Sequence, residues 1–520
     1  MSALARLRTS STPPSLFVAA LGGLVAAASL PPFGFWPMGP LGVAMLLLAL
    51  EDHPWSRRAA TGLCFGLGLM VPGLWWAQHF NWYGALALMV IESLFFAVAA
   101  LAICPGRGRT LSAIGALTLA EAARESWPLG GLPIGGLPLG QVGGPLLPVV
   151  RLAGPAGLVM AVVVVAAGAR ILSTALAARS AQSPDATRRL VHGSGLLAMV
   201  AVVAVVGASS SAGGPGRPVS VAAVQGGGAR GTSAQQTDPV GVTRAQLAAA
   251  EQVPTGTRLT VLPEDVVGLP GPLRGSWQLD ALRAQARRIS TTLLAGVTSP
   301  LGASRFTNTV VALDPDGRIV GTVTKIHRVP FGEYVPARSI VSTIADLSAV
   351  PRDATVGTQP EVLRTPAGRL GVLISFETFF SSLGTDLVDH GAELLVVPTN
   401  TTSYPGDQMP GQELAASRLQ AVAHGRDLVQ ASPTGYSALI SSDGTVLARS
   451  DLSRRIAVTG TVERRHGRTV LDDLGSWPVL LVAFACLVIG QARARGRREL
   501  ANPAPADLEV DEGEAVTQSS

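Results

Sequence analysis

The sequence predicts an α/β domain inserted into a bundle of eight transmembrane helices, and three observations support this fold class. Apolar runs fill the first 210 residues and return once near the C-terminus, at 475–491. Between these regions, short β-type runs alternate with helical stretches, which is typical of a layered α/β domain. Charged residues make up only 14% of the 520 residues, whereas soluble domains average about 25%.

Eight apolar runs approach the roughly 20 residues that a helix needs to cross a bilayer. They lie at 14–31, 38–50, 59–77, 84–104, 110–127, 147–169, 191–209 and 475–491. From residue 501 onward the chain is polar and acidic and has no aromatic residue, which is typical of disorder. We therefore predict a transmembrane domain of about seven helices at 1–210, an α/β domain at 211–474, a last transmembrane helix at 475–491 and a disordered cytoplasmic tail at 492–520.

Arginines are distributed unevenly among the loops between these runs. The alternate loops, such as 32–37 and 78–83, have no Lys or Arg. Basic loops follow every second run and the last run, with Arg57, Arg58, Arg107, Arg109, Arg170, Arg179, Arg188, Arg189, Arg493, Arg495, Arg497 and Arg498. Because positively charged loops stay in the cytoplasm, we predict that both termini are cytoplasmic and that the α/β domain is extracytoplasmic.

The cysteines and histidines argue against several kinds of site. Cys64, Cys104 and Cys486 all lie in apolar runs, so no disulfide framework or metal-type spacing is present. His390 and His424 lack partners at ligand spacing. The net charge is +5, but no basic surface is interleaved with aromatic residues. We expect no metal, no cofactor and no nucleic acid partner.

The strands of the α/β domain are predicted where short β-type runs occur. They are expected at 258–262, 292–296, 308–313, 319–324, 370–374, 393–397, 429–432, 437–440 and 445–448. Asp314-Pro315-Asp316-Gly317 predicts a hairpin turn between two of these strands. A helix is predicted at 412–426, where small and apolar residues recur at helical spacing.

Three polar residues follow predicted strands, where the sites of α/β domains are usually built. They are Glu264, Lys325 and Ser375, and Lys325 is the only lysine among the 40 basic residues. Arginine cannot supply the compact ammonium of tunable pKa that lysine provides. A carboxylate that takes a proton, an ammonium that stabilises negative charge and an attacking residue suit acyl transfer. Taken alone, Glu264 is better explained as a solvated loop acid and Ser375 as a turn or capping residue.

Three motifs in order along the chain resemble those of the nitrilase superfamily. Leu262-Pro263-Glu264 matches its glutamate motif, the run around Lys325 its lysine motif, and Gly371 to Glu377 its nucleophile strand. The long form of the lysine motif, His327 through Pro336, is similar to that of the apolipoprotein N-acyltransferases in particular. The downstream loop and helix of that family are matched by Asn400, Tyr404, Gly406, Arg418, Gly425 and Arg426. The predicted topology agrees as well, so the resemblance covers nearly the whole chain.

This resemblance implies a nitrilase-like four-layer αββα sandwich and an acyltransferase of the bacterial cell membrane. The family moves an acyl chain from a membrane phospholipid to the α-amine of the S-diacylglyceryl cysteine that begins an apolipoprotein, through a covalent acyl-enzyme. The resemblance implies that Glu264 is the general base, that Lys325 stabilises the oxyanion and that position 375 holds the nucleophile. Glu333 and Glu377 match supporting carboxylates that orient the lysine or the nucleophile.

The chain departs from the family at the nucleophile itself. The family uses cysteine, but this chain has Ser375, and the predicted α/β domain contains no cysteine. The next residue, usually tyrosine, is Phe376, which we keep among the supporting residues. A thiol has a pKa of about 8.5, whereas a serine hydroxyl is far less acidic and usually recruits a histidine or lysine as its base. Lys325 would serve if burial lowered its pKa.

Three functional hypotheses follow from this departure. The chain is a working N-acyltransferase with an oxygen nucleophile, or a catalytically silent paralogue that binds lipoproteins or assists an active acyltransferase, or an acyltransferase or amidase for another substrate. The expected partners of the first are a membrane phospholipid as acyl donor and a diacylglyceryl apolipoprotein as acceptor.

Overall fold

The N-terminal part of the protein is a bundle of apolar helices. The computed structural model describes residues 13–50, 53–180, 185–210, 215–228, 238–343, 346–348, 350–404 and 406–501. Up to residue 210, the described helices are α1 (Pro13–Ala27), α2 (Met38–Ala49), α3 (Trp55–Gly73), α4 (Trp82–Ala102), α5 (Arg109–Arg124), α6 (Val150–Ser180) and α7 (Ala186–Ser209). Each overlaps one of the apolar runs in the sequence, so the predicted positions of these helices are confirmed.

Close packing of the helices depends on glycine. A Cβ atom on Gly23 of α1 would lie 2.1 Å from the carbonyl oxygen of Phe65 in α3. A Cβ atom on Gly62 of α3 would lie 2.3 Å from the carbonyl oxygen of Phe96 in α4. Small residues of this kind let helix backbones approach closely where water does not drive association, as in membranes.

A buried ion cluster joins α4, α5 and the segment that follows α5. The guanidinium of Arg124, whose side chain is 0% exposed, lies 3.2 Å from Glu92 Oε2 and 2.9 Å from Glu121 Oε2. It also donates to the carbonyl oxygens of Leu132 at 2.5 Å and Ile134 at 3.1 Å. The glycine-rich stretch 129–144 is therefore tied to the inside of the bundle, and a short 3₁₀ helix, Leu137–Gln141, is buried within it.

The C-terminal part is an α/β domain with two sheets. The first sheet contains β1 (Arg217–Gln225), β2 (Leu259–Val261), β3 (Val267–Gly268), β4 (Thr292–Leu301), β5 (Arg305–Leu313), β6 (Ile319–Thr324), β7 (Asp353–Ala354) and β14 (Ile456–Arg464). The second contains β8 (Val362–Thr365), β9 (Gly368–Val372), β10 (Leu394–Pro398), β11 (Leu428–Ala431), β12 (Ala438–Ile440) and β13 (Val446–Arg449). All nine predicted strands are confirmed within a few residues.

The order of the strands explains how the domain closes. The main path of the first sheet is β14-β1-β2-β4-β5-β6, and the second sheet runs β13-β12-β11-β10-β9-β8. β1, β2 and β4 are parallel, as are β9, β10 and β11. β1 and β14 pair antiparallel along their whole length, from Arg217 opposite Arg464 to Gln225 opposite Ile456. The chain therefore enters and leaves the domain at neighbouring points.

Helices cover both outer faces of the paired sheets. They are α8 (Pro239–Ala250), α9 (Trp277–Ile289), α11 (Ser381–Asp389) and α12 (Gln408–Ala423). Two short helices, α10 (Arg338–Val341) and α13 (Val470–Leu474), lie in the connecting segments. Residues of both sheets share one buried core, α8 and α9 pack on the first sheet, and α11 and α12 pack on the second. The layers therefore run α-β-β-α, and the helix predicted at 412–426 is confirmed as α12, although α12 begins and ends a few residues earlier.

The α/β domain is packed against the bundle through α12. Gln412 donates to the carbonyl of Gly73 at 2.8 Å and accepts from the backbone N–H of Gly135 at 2.9 Å. Gln408 bonds to the carbonyl of Pro72 and to the backbone N–H of Trp76. Apolar residues of α12 also belong to the same buried cluster as the bundle helices. One helix thus contacts both parts of the protein.

The last helix, α14 (Trp477–Ala501), corrects the predicted C-terminal boundary. We expected a helix at 475–491 and a disordered tail from 492, but the helix continues ten residues into the arginine-rich segment. Arginine is a good helix former, and a helix that leaves the apolar layer does not need apolar residues. The rest of the predicted tail, 502–520, lies outside the described residues.

Several helices suit a membrane environment. Among the described residues, four are long and apolar enough to cross a bilayer: Trp82–Ala102, Leu147–Arg179, Ala186–Ser209 and Trp477–Arg495. Shorter apolar helices occupy Ser15–Ala27 and Met38–Ala49. Large apolar residues are exposed along α7 and α14, which suits contact with lipid. The chain is therefore a membrane protein, while the count of eight crossings stays a prediction.

Arg124→Met is expected to destabilise the helical bundle strongly. Removing the guanidinium leaves Glu92 and Glu121 buried without their cation, a change that costs about 3–5 kcal/mol in comparable buried pairs. Thermal unfolding of the purified protein in detergent measures the loss. Arg188→Met, which removes an exposed arginine at the start of α7, is the matched control. Equal melting temperatures for the two variants would contradict a role for the ion cluster in stability.

Candidate active site

The candidate site is centred on the ammonium of Lys325, which lies between two carboxylates. Lys325 directly follows β6, and its side chain is 2% exposed. Its Nζ donates to Glu264 Oε1 at 2.9 Å and to Glu333 Oε1 at 3.0 Å. Glu264 lies beyond the end of β2, and Glu333 is carried by the loop after Lys325. The structure therefore brings together three of the residues that the sequence predicts for the site.

Asn308 completes this cluster, and sequence analysis missed it. Its amide nitrogen donates to Glu264 Oε1 at 2.8 Å and to Glu333 Oε1 at 2.9 Å. The backbone carbonyl oxygen of Asn308 accepts a hydrogen bond from the backbone N–H of Lys325 at 3.0 Å. The available signal was a buried amide inside the strand predicted at 308–313. Its partners depend on the pairing of β5 with β6, which the sequence does not define.

The two carboxylates keep Lys325 protonated. Burial alone disfavours the ammonium, but the negative charges of Glu264 and Glu333 outweigh it and hold the pKa of Lys325 well above its ordinary value. The condition under which Lys325 would act as a base, a pKa lowered by burial, is not met. While its pKa stays raised, Lys325 has no free electron pair with which to accept the proton of Ser375, whereas electrostatic stabilisation of an oxyanion suits a charged group.

Ser375 begins a sharp turn after β9. Its φ of 53° lies in the left-handed region, which costs a non-glycine residue roughly 1–2 kcal/mol. A short 3₁₀ helix, Ser375–Phe379, follows. Strain of this kind persists when surrounding contacts over-determine the backbone, and here the following residues provide those contacts.

Glu377 fixes this turn against the lysine loop. Its carboxylate accepts from the backbone N–H groups of Ile374 at 2.7 Å, Ile326 at 2.5 Å and His327 at 3.1 Å. Burial raises the pKa of Glu377 to about 7, against the opposing effect of these donors and of the charge of Lys325. One carboxylate thus connects the segment of Ser375 with the segment of Lys325, in agreement with a supporting role.

The aromatic residues beside the turn are buried rather than polar. Phe376 packs edge-on against Phe380, with ring centroids 5.0 Å apart, and joins the cluster shared with the bundle. The imidazole of His327 stacks on the ring of Phe380, with ring centroids 4.3 Å apart and an interplanar angle of 9°. Burial lowers the pKa of His327, so its imidazole is neutral near pH 7. No described hydrogen bond joins His327 to Ser375.

Thr399 contacts Ser375, and Glu413 contacts Thr399; sequence analysis missed both. Thr399 Oγ1 lies 3.3 Å from Ser375 Oγ and donates a hydrogen bond to Glu413 Oε1. Thr399 follows β10, and Glu413 lies on α12. A glutamate among small residues of a predicted helix was the only available signal. Lys325 and Glu264 both act on Glu413 electrostatically, so this pair lies close to the lysine cluster.

The loop after β10 faces the helical bundle. Tyr404 packs edge-on against Trp76 at 5.2 Å and against Phe80 at 5.3 Å. The tyrosine thus lies between aromatic residues of the bundle and the polar cluster. Among the described residues, no group of three His, Cys, Asp or Glu side chains is arranged to hold a metal ion.

Lys325→Met is expected to destabilise the α/β domain by about 3–5 kcal/mol, because it leaves two carboxylates buried and facing one another. Arg318→Met removes an exposed cation from a pair with Asp316, and such pairs are worth about 0–1 kcal/mol. Chemical denaturation followed by tryptophan fluorescence compares the two variants. Combining Lys325→Met with Glu333→Gln should recover part of the loss; no recovery would mean that the carboxylates are not electrostatically coupled through Lys325.

Comparison with known proteins covers both parts of the chain. The family of the apolipoprotein N-acyltransferase N-terminal domain matches residues 22–168, and the carbon-nitrogen hydrolase family matches residues 220–466. An apolipoprotein N-acyltransferase of Azotobacter vinelandii is 28% identical, over 95% of this chain and 97% of that protein. One from Methylococcus capsulatus is 26% identical, over 93% and 97%. One from Geobacter metallireducens is 32% identical over 35% of this chain and 34% of that protein.

Solved structures of carbon-nitrogen hydrolases cover about half of the chain. Saccharomyces cerevisiae Nit3, a nitrilase superfamily member, is 18% identical with a TM-score of 0.36, covering 49% of this chain and 93% of that one. An amidase from Nesterenkonia sp. is 22% identical with a TM-score of 0.35, covering 48% and 91%. Both family matches and the full-length relatives lead to one conclusion: the chain belongs to the apolipoprotein N-acyltransferase family of the nitrilase superfamily.

Proposed function

We propose that this protein transfers an acyl chain from a membrane phospholipid to the α-amine of the S-diacylglyceryl cysteine of an apolipoprotein, with Ser375 as the acyl carrier. The observation that carries the proposal is the ammonium of Lys325, fixed between Glu264 and Glu333 and joined through Glu377 to the turn of Ser375. Full-length relatives that are named apolipoprotein N-acyltransferases support the substrate class.

The first half-reaction loads the acyl chain onto the protein. Ser375 Oγ forms a bond to the ester carbonyl carbon of the phospholipid and loses its proton to a carboxylate. The carbonyl oxygen becomes an oxyanion, which the charged ammonium of Lys325 stabilises. The carbon–oxygen bond of the glycerol ester then breaks, and the lysophospholipid alkoxide leaves with a proton. An ester between the acyl chain and Ser375 remains.

The second half-reaction transfers the chain to the lipoprotein. The neutral α-amine attacks the acyl ester, and a carboxylate accepts the proton that the amine loses. Collapse of the oxyanion forms the amide, and Ser375 Oγ leaves and is reprotonated. In the family assignment Glu264 is the base of both halves; its Oε1 already accepts from Lys325 and Asn308. An oxygen ester is less reactive toward amines than the thioester of a cysteine enzyme.

The aromatic contact between the α/β domain and the bundle suits lipid substrates. An apolar surface is formed by Trp76, Phe80 and Tyr404. The charges of Glu413 and Lys325 act on the hydroxyl of Tyr404, so this surface lies near the polar cluster. Both substrates are lipids held in one leaflet. A site between membrane helices and a catalytic domain can take both without removing their chains from the bilayer.

We also propose eight membrane crossings, cytoplasmic termini and an extracytoplasmic α/β domain. The arrangement of α3 supports this: near its start, Arg58 donates to the carbonyls of Ala100 and Leu101, and at its end Gly73 contacts Gln412 of the α/β domain. Basic residues and the catalytic domain are therefore at opposite ends of α3, as expected if basic loops stay in the cytoplasm.

A catalytically silent role remains a second candidate, and one observation favours it. Ser375 and Phe376 each lack a group that the family usually has at that position, a thiol and a phenol hydroxyl respectively. A silent paralogue would keep the lipid site and the buried ion cluster while making no acyl-enzyme.

Reconstitution separates these two functions. The purified chain is placed in vesicles of bacterial phospholipid with a synthetic S-diacylglyceryl-cysteinyl peptide, and mass spectrometry follows N-acylation. We expect the product with the wild-type chain, an acyl ester trapped on Ser375 when the peptide is omitted, and neither with Ser375→Ala. Product formed only by Ser375→Cys would identify a silent paralogue that retains its lipid site. Equal product from Ser375→Ala would exclude Ser375 as the carrier.

Cysteine labelling tests the topology. In a chain whose Cys64, Cys104 and Cys486 are replaced by alanine, Asp316→Cys places a thiol on the exposed hairpin turn of the α/β domain. Arg188→Cys places one at the start of α7. A membrane-impermeant maleimide added to spheroplasts should label the first variant, and the second only after permeabilisation. The reverse pattern would place the α/β domain in the cytoplasm.

A further inference from the structure

The hydroxyl of Ser375 needs a proton acceptor of its own. Lys325 is held as an ammonium by its two carboxylates, and His327 has no described hydrogen bond to Ser375. Glu264 Oε1 is shared by Lys325 and Asn308. A thiol ionises near neutral pH without strong assistance, whereas a hydroxyl needs a base during the attack.

Two buried side chains stand next to the hydroxyl and are not used in the reaction described so far. Thr399, 0% exposed, lies with its Oγ1 3.3 Å from Ser375 Oγ, and Glu413, 1% exposed, accepts a hydrogen bond from the same Oγ1. The three oxygens form a continuous chain from the nucleophile to a carboxylate. In the resting arrangement Thr399 Oγ1 is placed to donate to Ser375 Oγ or to Glu413 Oε1. A hydroxyl has one proton, so only one of these bonds forms at a time; while Thr399 donates to Glu413, its lone pairs can accept the proton that Ser375 loses in the attack.

The surrounding structure holds this chain of oxygens in place. The backbone N–H of Thr399 donates to the carbonyl of Ala431 at 2.8 Å, which fixes the end of β10 against β11. Glu413 is next to Gln412, which is anchored to Gly73 and Gly135 of the bundle. Side chains held in this way are pre-organised for proton transfer and need no rearrangement.

Glu413 has the character of a proton acceptor near neutral pH. Burial raises the pKa of Glu413 to about 8, against the opposing effects of the Thr399 hydroxyl and of Lys325, while Glu264 adds to the rise. Its Oε2 is buried and has no hydrogen-bond partner among the described residues. The negative charge of Glu413 also acts on the hydroxyl of Tyr404 and helps to raise its pKa, which burial raises most. A base is most effective when its pKa lies near the working pH.

We propose that Ser375, Thr399 and Glu413 form a proton relay that activates the serine, so that in this chain Glu413, and not the Glu264 of the family assignment, is the base for the oxygen nucleophile. The inference rests on the proposed acyl transfer and deepens it. Thr399 and Glu413 take over a task that a cysteine thiol performs largely through its own acidity.

The relay balances within the acylation step. As Ser375 Oγ bonds to the acyl carbon, its proton moves to Thr399 Oγ1, and the proton of Thr399 moves to Glu413 Oε1. The electron pair of the carbonyl bond moves to the oxyanion beside Lys325. When the oxyanion collapses, Thr399 gives a proton to the leaving alkoxide and recovers one from Glu413. Glu413 ends as a carboxylate, ready for the amine.

A fluorophosphonate probe tests the relay independently of any lipoprotein substrate. Ser375 Oγ forms a bond to phosphorus, fluoride leaves, and the serine proton passes to the base. Labelling of the full-length protein is followed by intact mass. We expect labelling of the wild-type chain, none of Ser375→Ala, and a fall of about 100-fold or more in Thr399→Val and Glu413→Gln, the usual scale for loss of general base catalysis. Thr399→Ser, which keeps the hydroxyl, should label within a few-fold of wild type.

The pH profile and the nucleophile swap distinguish the relay from a structural role. Wild-type labelling should rise with pH and level off above about 8, as Glu413 ionises, and this limb should be absent in Glu413→Gln. In a Ser375→Cys background, iodoacetamide alkylation of the thiol should change less than about tenfold on Glu413→Gln, because a thiol supplies its own acidity. Equal losses in both backgrounds, unchanged labelling in Glu413→Gln, or an unlabelled wild-type serine would each overturn the relay.

Failure of the relay and failure of the proposed function give different results. A wild-type chain that labels through the relay but makes no N-acyl peptide in vesicles would overturn the transferase function and leave the relay standing. A chain that makes the peptide, with Glu413→Gln fully active, would keep the transferase and overturn the relay.

Discussion

The ammonium of Lys325 compensates a buried group of carboxylates that would otherwise repel one another. Glu264 and Glu333 both reach the same nitrogen, at 2.9 and 3.0 Å, and Asn308 bonds to both. Taking charges out of water is expensive, and such a group persists only when its members pair closely. The same closeness keeps the lysine charged, and a charged ammonium can stabilise a neighbouring negative charge but cannot accept a proton.

α12 contacts both the helical bundle and the candidate site. Its glutamines bond to the ends of bundle segments, and its Glu413 lies one hydroxyl away from Ser375. The aromatic residues beside Ser375 belong to the same apolar cluster as the membrane helices. Ser375 therefore lies close to the contact between the two parts of the protein, and its environment depends on their packing.

The sequence predicted those features that depend on local pattern or on a motif. The strands, the hairpin turn and α12 fell where they were expected, and Lys325 lies between Glu264 and Glu333, which the sequence assigned to the same site. Asn308, Thr399 and Glu413 could not be found this way, because their meaning depends on sheet register and on the packing of a helix over a strand end. The raised pKa of Lys325 was missed for a similar reason, because Glu264 reaches the ammonium from a segment 61 residues earlier in the chain. The end of α14 was missed because hydropathy marks where an apolar layer ends, and not where a helix does.

The pairing of β1 with β14 has a consequence for how this architecture arises. Because the two strands run side by side in opposite directions, the ends of the α/β domain emerge together, and no strand is borrowed from the bundle by either sheet among the described residues. A domain of this kind can therefore be inserted between two membrane helices at one connection, because its two ends lie side by side and its sheets need no strand from the bundle. Such an insertion creates a new contact surface between lipid-facing helices and a catalytic domain, formed here by α12 and the loop that carries Tyr404.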